Sequence, residues 1–301
     1  MEIDLRIVDY NNYAEAAEID VDCISLGDEG CVYRLPDPFT LKKILLSLLS
    51  IKVKPRLVTP KVGESELEIV LQLVKTAAEF GDRIDLIVND LGVLQFSIEI
   101  ASKMNIYFGR VFARSIIDCP WYQFILRKEI PEVRDGFTKH AYDHKEKIDL
   151  LRSYNIKGIE VNNLSGIEKS ILQITRNNTE VNAHYGRRLL TLGRGCITAR
   201  HFDLGIKKCL SVCGTEFQLD WDGLWLSSSQ SDVQTSEVHK RLLHGAVVNG
   251  NRVLAPCTNT LAEMLQSGVS KIIVDQEPNM ICKIMEIRKT LYALQKSQVL
   301  T

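Results

Sequence analysis

The sequence lacks a strong charge of either sign and lacks a long hydrophobic run. Its 301 residues contain 37 Lys and Arg against 38 Asp and Glu, so the formal net charge is −1. A chain with this balance has no overall field that would attract nucleic acid or an anionic membrane surface. No run of eighteen apolar residues occurs, and a membrane-spanning helix needs about that length. We therefore predict no nucleic-acid partner and no membrane span.

The first twenty residues also lack the basic start and the apolar run of a secretory signal peptide. We therefore expect a cytoplasmic protein, whose eight cysteines would stay reduced. In such a protein, cysteines bind metals, take part in catalysis or are simply buried. A disulfide framework is not expected.

No G-x-G-x-x-G motif follows the first strand candidate, which argues against a dinucleotide-binding sheet. Instead, short β-branched runs alternate with longer patterns of helical periodicity. The strand candidates are 4–8, 22–26, 55–60, 84–88, 106–113, 158–163, 179–185 and 271–275. The helix candidates include 39–52, 64–80, 91–103 and 140–155. This alternation predicts an α/β fold, a TIM-like (β/α) barrel that is either complete or irregular.

We predict a single domain over residues 1–301, with an irregular segment at 186–237 inserted after a late strand. The segment is rich in Gly, Cys, Ser and Arg, and loops on a rigid scaffold carry binding and catalytic sites. It contains Cys196, Cys209 and Cys213 in a C-x12-C-x3-C spacing. Metal ligation, a redox pair or chance burial would each explain three thiols so close together.

Four thiolates can hold either zinc or an iron–sulfur cluster. Structural zinc sites usually have paired C-x2-4-C knuckles, whereas the scattered spacing here favours iron–sulfur. Cys31 follows the strand candidate 22–26, so it is expected at the rim where the loops of a barrel converge. This position favours Cys31 as the fourth ligand. The other candidates are Cys23, Cys119, Cys257 and Cys282.

The stretch GRGCITARHFDLGIKKCLSVC, followed by WDGLWLSSSQ, resembles the cysteine-rich segment of the collagenase-like peptidase superfamily. The stretches LGDEGCVYR and IDLIVNDLGVLQF resemble the family's first cysteine loop and a strand with its following helix. Within the family, the chain is most similar to iron–sulfur proteins of oxygen-independent ubiquinone biosynthesis. The resemblance implies a 4Fe–4S cluster, whose ligands would be Cys31, Cys196, Cys209 and Cys213.

The peptidase branch of this family carries a longer acidic and glycine-rich signature before its first clustered cysteine. The corresponding stretch here is NAHYGRRLLTLGRGC, and the expected glutamate is absent. The sequence also shows no Ser/His/Asp or Cys/His arrangement that would activate a nucleophile. The resemblance therefore implies a subunit of an oxygen-independent hydroxylase, paired with a sister protein of similar fold in a heterodimer.

Four arginines and two histidines lie between residues 184 and 201, with no acidic residue among them. A four-thiolate cluster is anionic, so guanidinium groups beside it would stabilise its reduced form. Such groups could also bind a quinone precursor or another small anionic substrate. Arg194 and Arg200 lie within four residues of Cys196 and are the candidates for this role.

Three further residues are candidates for a catalytic role at the barrel mouth. Asp90 and Arg110 come at or near the ends of strand candidates, and His184 lies in the strand that precedes the irregular segment. Asp90 is better explained as the N-cap of the helix candidate 91–103. Two other functions stay open: a structural thiolate site without redox chemistry, and a peptidase or RNA-modifying enzyme of the same family.

Overall fold

The computed structural model describes residues 1–10, 13–100, 103–115, 131, 139–204, 209, 213, 216–218, 245–257, 259–277 and 279–299. Seven strands in the first two thirds of the chain are β1 (Glu2–Ile7), β2 (Cys23–Gly27), β3 (Lys54–Val58), β4 (Asp85–Val88), β5 (Asn105–Phe108), β6 (Ile156–Asn162) and β7 (Glu180–Tyr185). Four further strands follow, β8 (Arg187–Leu192), β9 (Phe217–Gln218), β10 (Val247–Asn249) and β11 (Arg252–Pro256), and the last is β12 (Lys271–Asp275).

Eight parallel strands close a barrel in the order β1-β2-β3-β4-β5-β6-β7-β12, with β12 paired to β1. Each of the eight strand candidates corresponds to one of these strands, so the predicted TIM-like barrel is confirmed and its closure is complete. The helices are α1 (Tyr13–Glu18), α2 (Pro38–Ser50), α3 (Glu64–Ala78), α4 (Leu91–Ile100), α5 (Lys145–Ser153), α6 (Glu168–Arg176), α7 (Ile197–His201), α8 (Leu261–Gln266) and α9 (Met280–Val299).

Helix α2 illustrates how the sequence starts a helix. Asp37 precedes it, and its carboxylate accepts hydrogen bonds from the amides of Phe39 and Thr40 at 2.9 and 3.0 Å. Pro38 occupies the first turn, where its missing N–H costs nothing. Among the helices that the structure describes, none has the length and apolar composition needed to cross a membrane.

Alternate residues of the barrel strands face two different environments. In β1, Ile3, Leu5 and Ile7 belong to the main hydrophobic core, together with buried residues of the surrounding helices. The residues between them, Asp4 and Arg6, are also buried but contact polar residues of other barrel strands. Because successive side chains of a strand point to opposite faces, the apolar set packs against the helices and the polar set fills the barrel.

The segment between β7 and β12 forms a second, antiparallel sheet in the order β8-β11-β10-β9. Gly186 makes the turn from β7 to β8 with a φ of +95°, a conformation that favours glycine. Strands β8 and β9 and helix α7 lie within the segment 186–237. The stretch WDGLWLSSSQSDVQTSE (221–237), whose composition predicts a short hairpin or loop insertion, lies outside the described residues.

Candidate functional site

The inside of the barrel is lined by ionised side chains. Arg6 Nη2 donates hydrogen bonds to both carboxylate oxygens of Glu160, at 2.8 and 2.7 Å. Arg56 forms an ion pair with Asp4, and its Nη1 lies 3.4 Å from Glu160 Oε1. All four side chains are buried. Because β12 and β7 separate β1 from β6, these ion pairs cross the interior of the barrel.

The network of ion pairs continues to the barrel mouth through Glu29 and Arg110, in the loops after β2 and β5. Arg110 Nε and Nη2 donate to the two oxygens of Glu29 at 2.8 and 2.5 Å. Burial acts to raise the pKa of Glu29, but the charge and hydrogen bonds of Arg110 hold it well below its usual range. Arg110 Nη1 also donates to the carbonyl of Arg187 at 3.2 Å, which connects the mouth to β8.

The antiparallel sheet is fixed to the mouth by a second group of hydrogen bonds. Arg34 Nη1 and Arg252 Nη2 donate to Asn249 Oδ1 at 2.7 and 2.9 Å. Both arginines also lie beside Asp28 Oδ2, at 3.0 and 3.2 Å. The loop after β2 and the β10–β11 hairpin are thus held together by charge-assisted contacts, which are stronger than those between neutral groups.

A cleft lies between the barrel mouth and the antiparallel sheet, with an empty volume of about 360 Å3 that includes space open to solvent. The barrel contributes Arg6, Val8 and Asp275, and the sheet contributes Asn249, Arg252 and Leu254. Val8 and Leu254 are the two apolar side chains among the described residues that line it. A cleft with this lining suits a small polar ligand better than a long apolar one.

Asp275 lines this cleft, and the buried His184 lies beside it. The His184 imidazole is fully buried, with Nε2 3.5 Å from Glu160 Oε2 and Nδ1 3.9 Å from Asp275 Oδ2. Burial and then the charge of Arg110 lower the pKa of His184, so the ring is neutral near pH 7. Burial acts to raise the pKa of Asp275, but the charges of Arg110, Arg252 and Arg6 lower it below its usual range.

The turn between β10 and β11 brings two of the cysteine-bearing loops together. Asn251 Nδ2 donates hydrogen bonds to the carbonyls of Gly30 and Gly193. The amide of Gly193 donates to the Asn251 carbonyl at 2.7 Å, and the amide of Thr198 donates to the Gly250 carbonyl at 3.0 Å. Cys31 and Cys196 therefore lie on chain segments that are hydrogen-bonded to the same turn.

Cys213 lies near the same turn, and Cys209 is close enough to Cys31 to act on it electrostatically. The Cys213 Cβ is 3.5 Å from the position that a Cβ of Gly250 would occupy. Burial raises the pKa of Cys31 to about 11, and the nearby charges of Asp28, Cys209 and Cys213 act in the same direction. The thiols of Cys31, Cys209 and Cys213 thus influence one another electrostatically. The loop of the fourth proposed ligand, Cys196, is hydrogen-bonded to the β10–β11 turn.

None of the seven described cysteines forms a disulfide. Within the described residues, no three His, Cys, Asp or Glu side chains are close enough together to hold a metal ion. The donor set is nevertheless of the right kind, since four thiols on three chain segments match the ligands of a four-thiolate cluster. The residues thus match the implied cluster in the type of donor atom.

The remaining cysteines lie elsewhere. Cys23 is buried in β2, with its Sγ 4.0 Å from Glu2 Oε2, at the opposite end of the barrel from Cys31. Cys282 is exposed on α9. The Cys257 Sγ donates to the main-chain carbonyl of His184 at 3.4 Å, and Cys119 lies outside the described residues. The arrangement keeps Cys31 as the candidate for the fourth ligand.

Sequence analysis did not predict Arg34, whose charge acts on the thiol of Cys213. Arg34 counteracts the larger effect of burial on the pKa of Cys213. Arg194 and Arg200 are both exposed. The Arg200 guanidinium covers Gly195, where an added Cβ would lie 3.1 Å from Nη2, so Arg200 does lie beside the loop of Cys196.

Asp90, Arg110 and His184 differ in their surroundings. The Asp90 carboxylate accepts hydrogen bonds from the amides of Gly92 and Val93 at 2.8 and 3.3 Å, so it forms the predicted N-cap of α4. Arg110 and His184 belong to the buried network below the cleft. All three lie at the C-terminal end of the barrel, the end that carries the segment of Cys196, as the rim prediction requires.

Several members of the network were not predicted from the sequence. They are Asp4, Arg6, Glu29, Arg34, Arg56, Asp85, Glu160, Arg252 and Asp275. Many of them follow one pattern, in which charged and apolar residues alternate within a strand, as in DLRI of β1 and IEVN of β6. The strands of a parallel barrel are buried on both faces, so a charged residue in such a strand indicates a buried polar interaction.

No protein-family profile and no curated protein matches this chain. Among solved structures, it is similar to the U32 peptidase Mk0906, with 9% sequence identity over 92% of this chain and 93% of that chain, and a TM-score of 0.44. The strand pairing alone establishes the barrel, and a similarity at this level identifies no function.

Proposed function

We propose that this chain is an iron–sulfur protein that resembles UbiV, a protein of oxygen-independent ubiquinone biosynthesis. In this proposal Cys31, Cys196, Cys209 and Cys213 hold a 4Fe–4S cluster. The observation that supports it is the meeting of the cysteine-bearing segments around the β10–β11 turn, beside a polar cleft. Two of the loops reach this turn through hydrogen bonds that do not involve the thiols.

The position of Arg34 relates the proposed cluster to the cleft. Arg34 lines the cleft, and its charge also acts on the Cys213 thiol. A cluster bound here would supply one-electron transfer next to the cleft. The chain's own residues would contribute the rest: Arg34 would stabilise the anionic thiolates, and the cleft would hold a small polar substrate such as a quinone precursor.

The geometry of the cleft and the cysteines gives less support to a peptidase or to a structural zinc site. A peptidase needs an activated nucleophile, yet the Cys257 thiol contacts the main chain of His184 instead of its ring. A structural zinc site would use the same four thiols but would give the cleft no role. In the proposed function the chain acts in the cytoplasm as one subunit of a hydroxylase, with a sister protein of the same family as its partner.

The proposal is tested by purifying the protein without oxygen and measuring bound iron and the visible absorption spectrum. Changing Cys31, Cys196, Cys209 or Cys213 to Ala should remove most of the iron and the absorption of the cluster. Cys282→Ala is the matched control, since Cys282 is an exposed cysteine on α9, and it should retain both. Zinc in place of iron would overturn the proposal, and so would full iron content in the Cys31→Ala variant.

A further inference from the structure

We infer that the surface around helix α7 is the docking site of a small acidic electron-carrier protein. This surface, the α7 patch, consists of the rings of His201, Phe202 and Phe217 with the guanidinium groups of Arg194 and Arg200. The inference rests on the proposed function, because a redox cluster beside the patch is what gives an electron carrier a reason to bind there. It adds the class of this further protein and the residues that contact it.

Three aromatic side chains form the centre of the α7 patch. The rings of His201 and Phe217 are stacked, with their centroids 3.9 Å apart and their planes inclined by 13°. The Phe202 ring meets both of them edge-on, at centroid distances of 5.0 and 6.0 Å. Phe202 is nevertheless 43% exposed, and His201 is exposed as well. Aromatic side chains are enriched at protein interfaces, so an exposed group of this kind is typical of a contact surface.

The α7 patch is held in place by the antiparallel sheet. The buried Thr198 of α7 donates to the Gly250 carbonyl twice, from its amide at 3.0 Å and from its hydroxyl at 3.2 Å. Phe217 belongs to β9 and pairs with Val248 of β10. The rings are therefore positioned before any partner binds, which reduces the loss of conformational freedom on binding.

Helix α7 also connects the patch to one of the proposed cluster ligands. Cys196 is the N-cap of α7, and its Sγ accepts a hydrogen bond from the amide of Ala199 at 3.3 Å. His201 ends the same helix, about 7.5 Å from Cys196 along the helix axis. A protein that covers the α7 patch would therefore lie beside the proposed cluster.

The charge of the patch selects an acidic partner. Residues 187–208 contain six Lys or Arg and one acidic residue, Asp203, although the whole chain has a net charge of −1. Arg194 and Arg200 are exposed, and neither forms an ion pair with another described residue. A local positive surface on a nearly neutral protein attracts an acidic partner to that surface and disfavours a basic one.

The size of the patch favours a transient partner. A stable interface involves about 20–30 residues on each side, whereas redox encounters have the smallest interfaces. A small aromatic centre with charged groups around it matches the second kind, so the patch is distinct from the surface of a stable heterodimer. In the step that this docking serves, the reduced carrier passes one electron to the proposed cluster and is itself oxidised, and no proton or group is transferred.

The test titrates the anaerobically purified full chain with an acidic plant-type ferredoxin, followed by calorimetry at several salt concentrations. We expect binding that weakens as salt is added. The double variant Arg194→Glu/Arg200→Glu should bind at least about tenfold more weakly at low salt, because it reverses the local charge. Lys169→Glu/Lys289→Glu is the matched control, since it changes the net charge equally at exposed positions on α6 and α9, and it should bind like the wild type.

A second pair of variants tests the aromatic centre. Phe202→Ala should weaken ferredoxin binding about fivefold or more, and the loss should be the same at low and at high salt because an apolar contact is removed. Tyr292→Ala is the matched control, since Tyr292 is an exposed aromatic residue on α9, and it should retain the affinity of the wild type.

Absence of ferredoxin binding would overturn the inference, and so would unchanged affinity in Arg194→Glu/Arg200→Glu or equal binding of the basic protein cytochrome c. Polyuridylate that binds more tightly and displaces the ferredoxin would overturn it too, because the patch would then be a nucleic-acid surface. The titration does not require iron in the chain. A chain without iron that binds ferredoxin as expected would contradict the proposed function alone, and an iron-loaded chain that does not bind it would contradict this inference alone.

Discussion

His140 and His184 show how a residue's chemistry depends on its surroundings. His140 Nε2 lies 2.8 Å from the carbonyl of Ala113, and its Nδ1 accepts a hydrogen bond from the amide of Tyr142 at 3.3 Å. A second proton on Nδ1 would remove that acceptor and place a charge in a buried site. Burial accordingly lowers the pKa of His140 to about 4. In both histidines the neutral imidazole is the form that fits the fold.

These buried histidines predict a pH dependence of stability. Their pKa is lower in the folded chain than the value of about 6.5 expected when unfolded. The contribution of His140 is therefore complete above pH 6.5 and is lost as the pH falls towards 4, and that of His184 is lost in the same direction. We expect the free energy of unfolding, measured with urea, to fall over this range by up to about 3 kcal/mol for His140 alone.

The control for this prediction is a pair of variants. His140→Gln should be less stable at pH 7 but should show a smaller loss between pH 6.5 and 4. His144→Gln, at an exposed position, should follow the wild type. An identical pH dependence in His140→Gln and the wild type would show that His140 does not carry the effect.

At the scale of elements, the β10–β11 turn is the structure that organises the cysteine loops. We expect Asn251→Ala to loosen these loops, because it removes the hydrogen bonds to the carbonyls of Gly30 and Gly193. Amide hydrogen exchange should become faster around residues 28–31 and 193–198, and iron should be released faster to a chelator. Asn177→Ala, in a half-buried residue directly after α6, should change neither rate. Unchanged exchange in Asn251→Ala would contradict the role of the turn.

The barrel could be predicted from the sequence because its signals are local. Each strand carries a short apolar run, and each helix has its own periodicity, as Leu41, Ile44, Leu45 and Leu48 show in α2. Helix α5 begins at Lys145 and not at 140, because the buried His140 belongs to the preceding loop. Helix ends depend on such tertiary contacts, which periodicity does not show.

The site could be predicted only in part, because it depends on contacts between distant residues. Cysteine spacing and the rim position pointed to Cys31 and to the segment after β7. The pairing of Glu29 with Arg110, 81 positions apart, has no local signal. The same holds for Asp275 and His184, which come together only because β12 pairs with β7. The pairing of β11 with β8 likewise joins residues far apart in the sequence, such as Leu192 and Arg252.

For the whole molecule, the proposed function predicts a partner. The described residues that line the cleft include no activated nucleophile, so the proposed function expects catalysis to need a second protein. Anaerobic purification of a tagged chain from its native host should recover a protein of the same family. A stable pair should bury about 1,200 Å2 or more. A monomer that is fully active on a quinone precursor without any added protein would contradict this.

The content of iron and acid-labile sulfide in anaerobically purified protein tests the central claim most directly. A 4Fe–4S cluster held by Cys31, Cys196, Cys209 and Cys213 predicts about four iron and four sulfide per chain. The Cys196→Ala variant should fall well below this content, while Cys282→Ala should equal the wild type. Zinc without sulfide, or a wild-type chain that binds neither metal, would contradict the account.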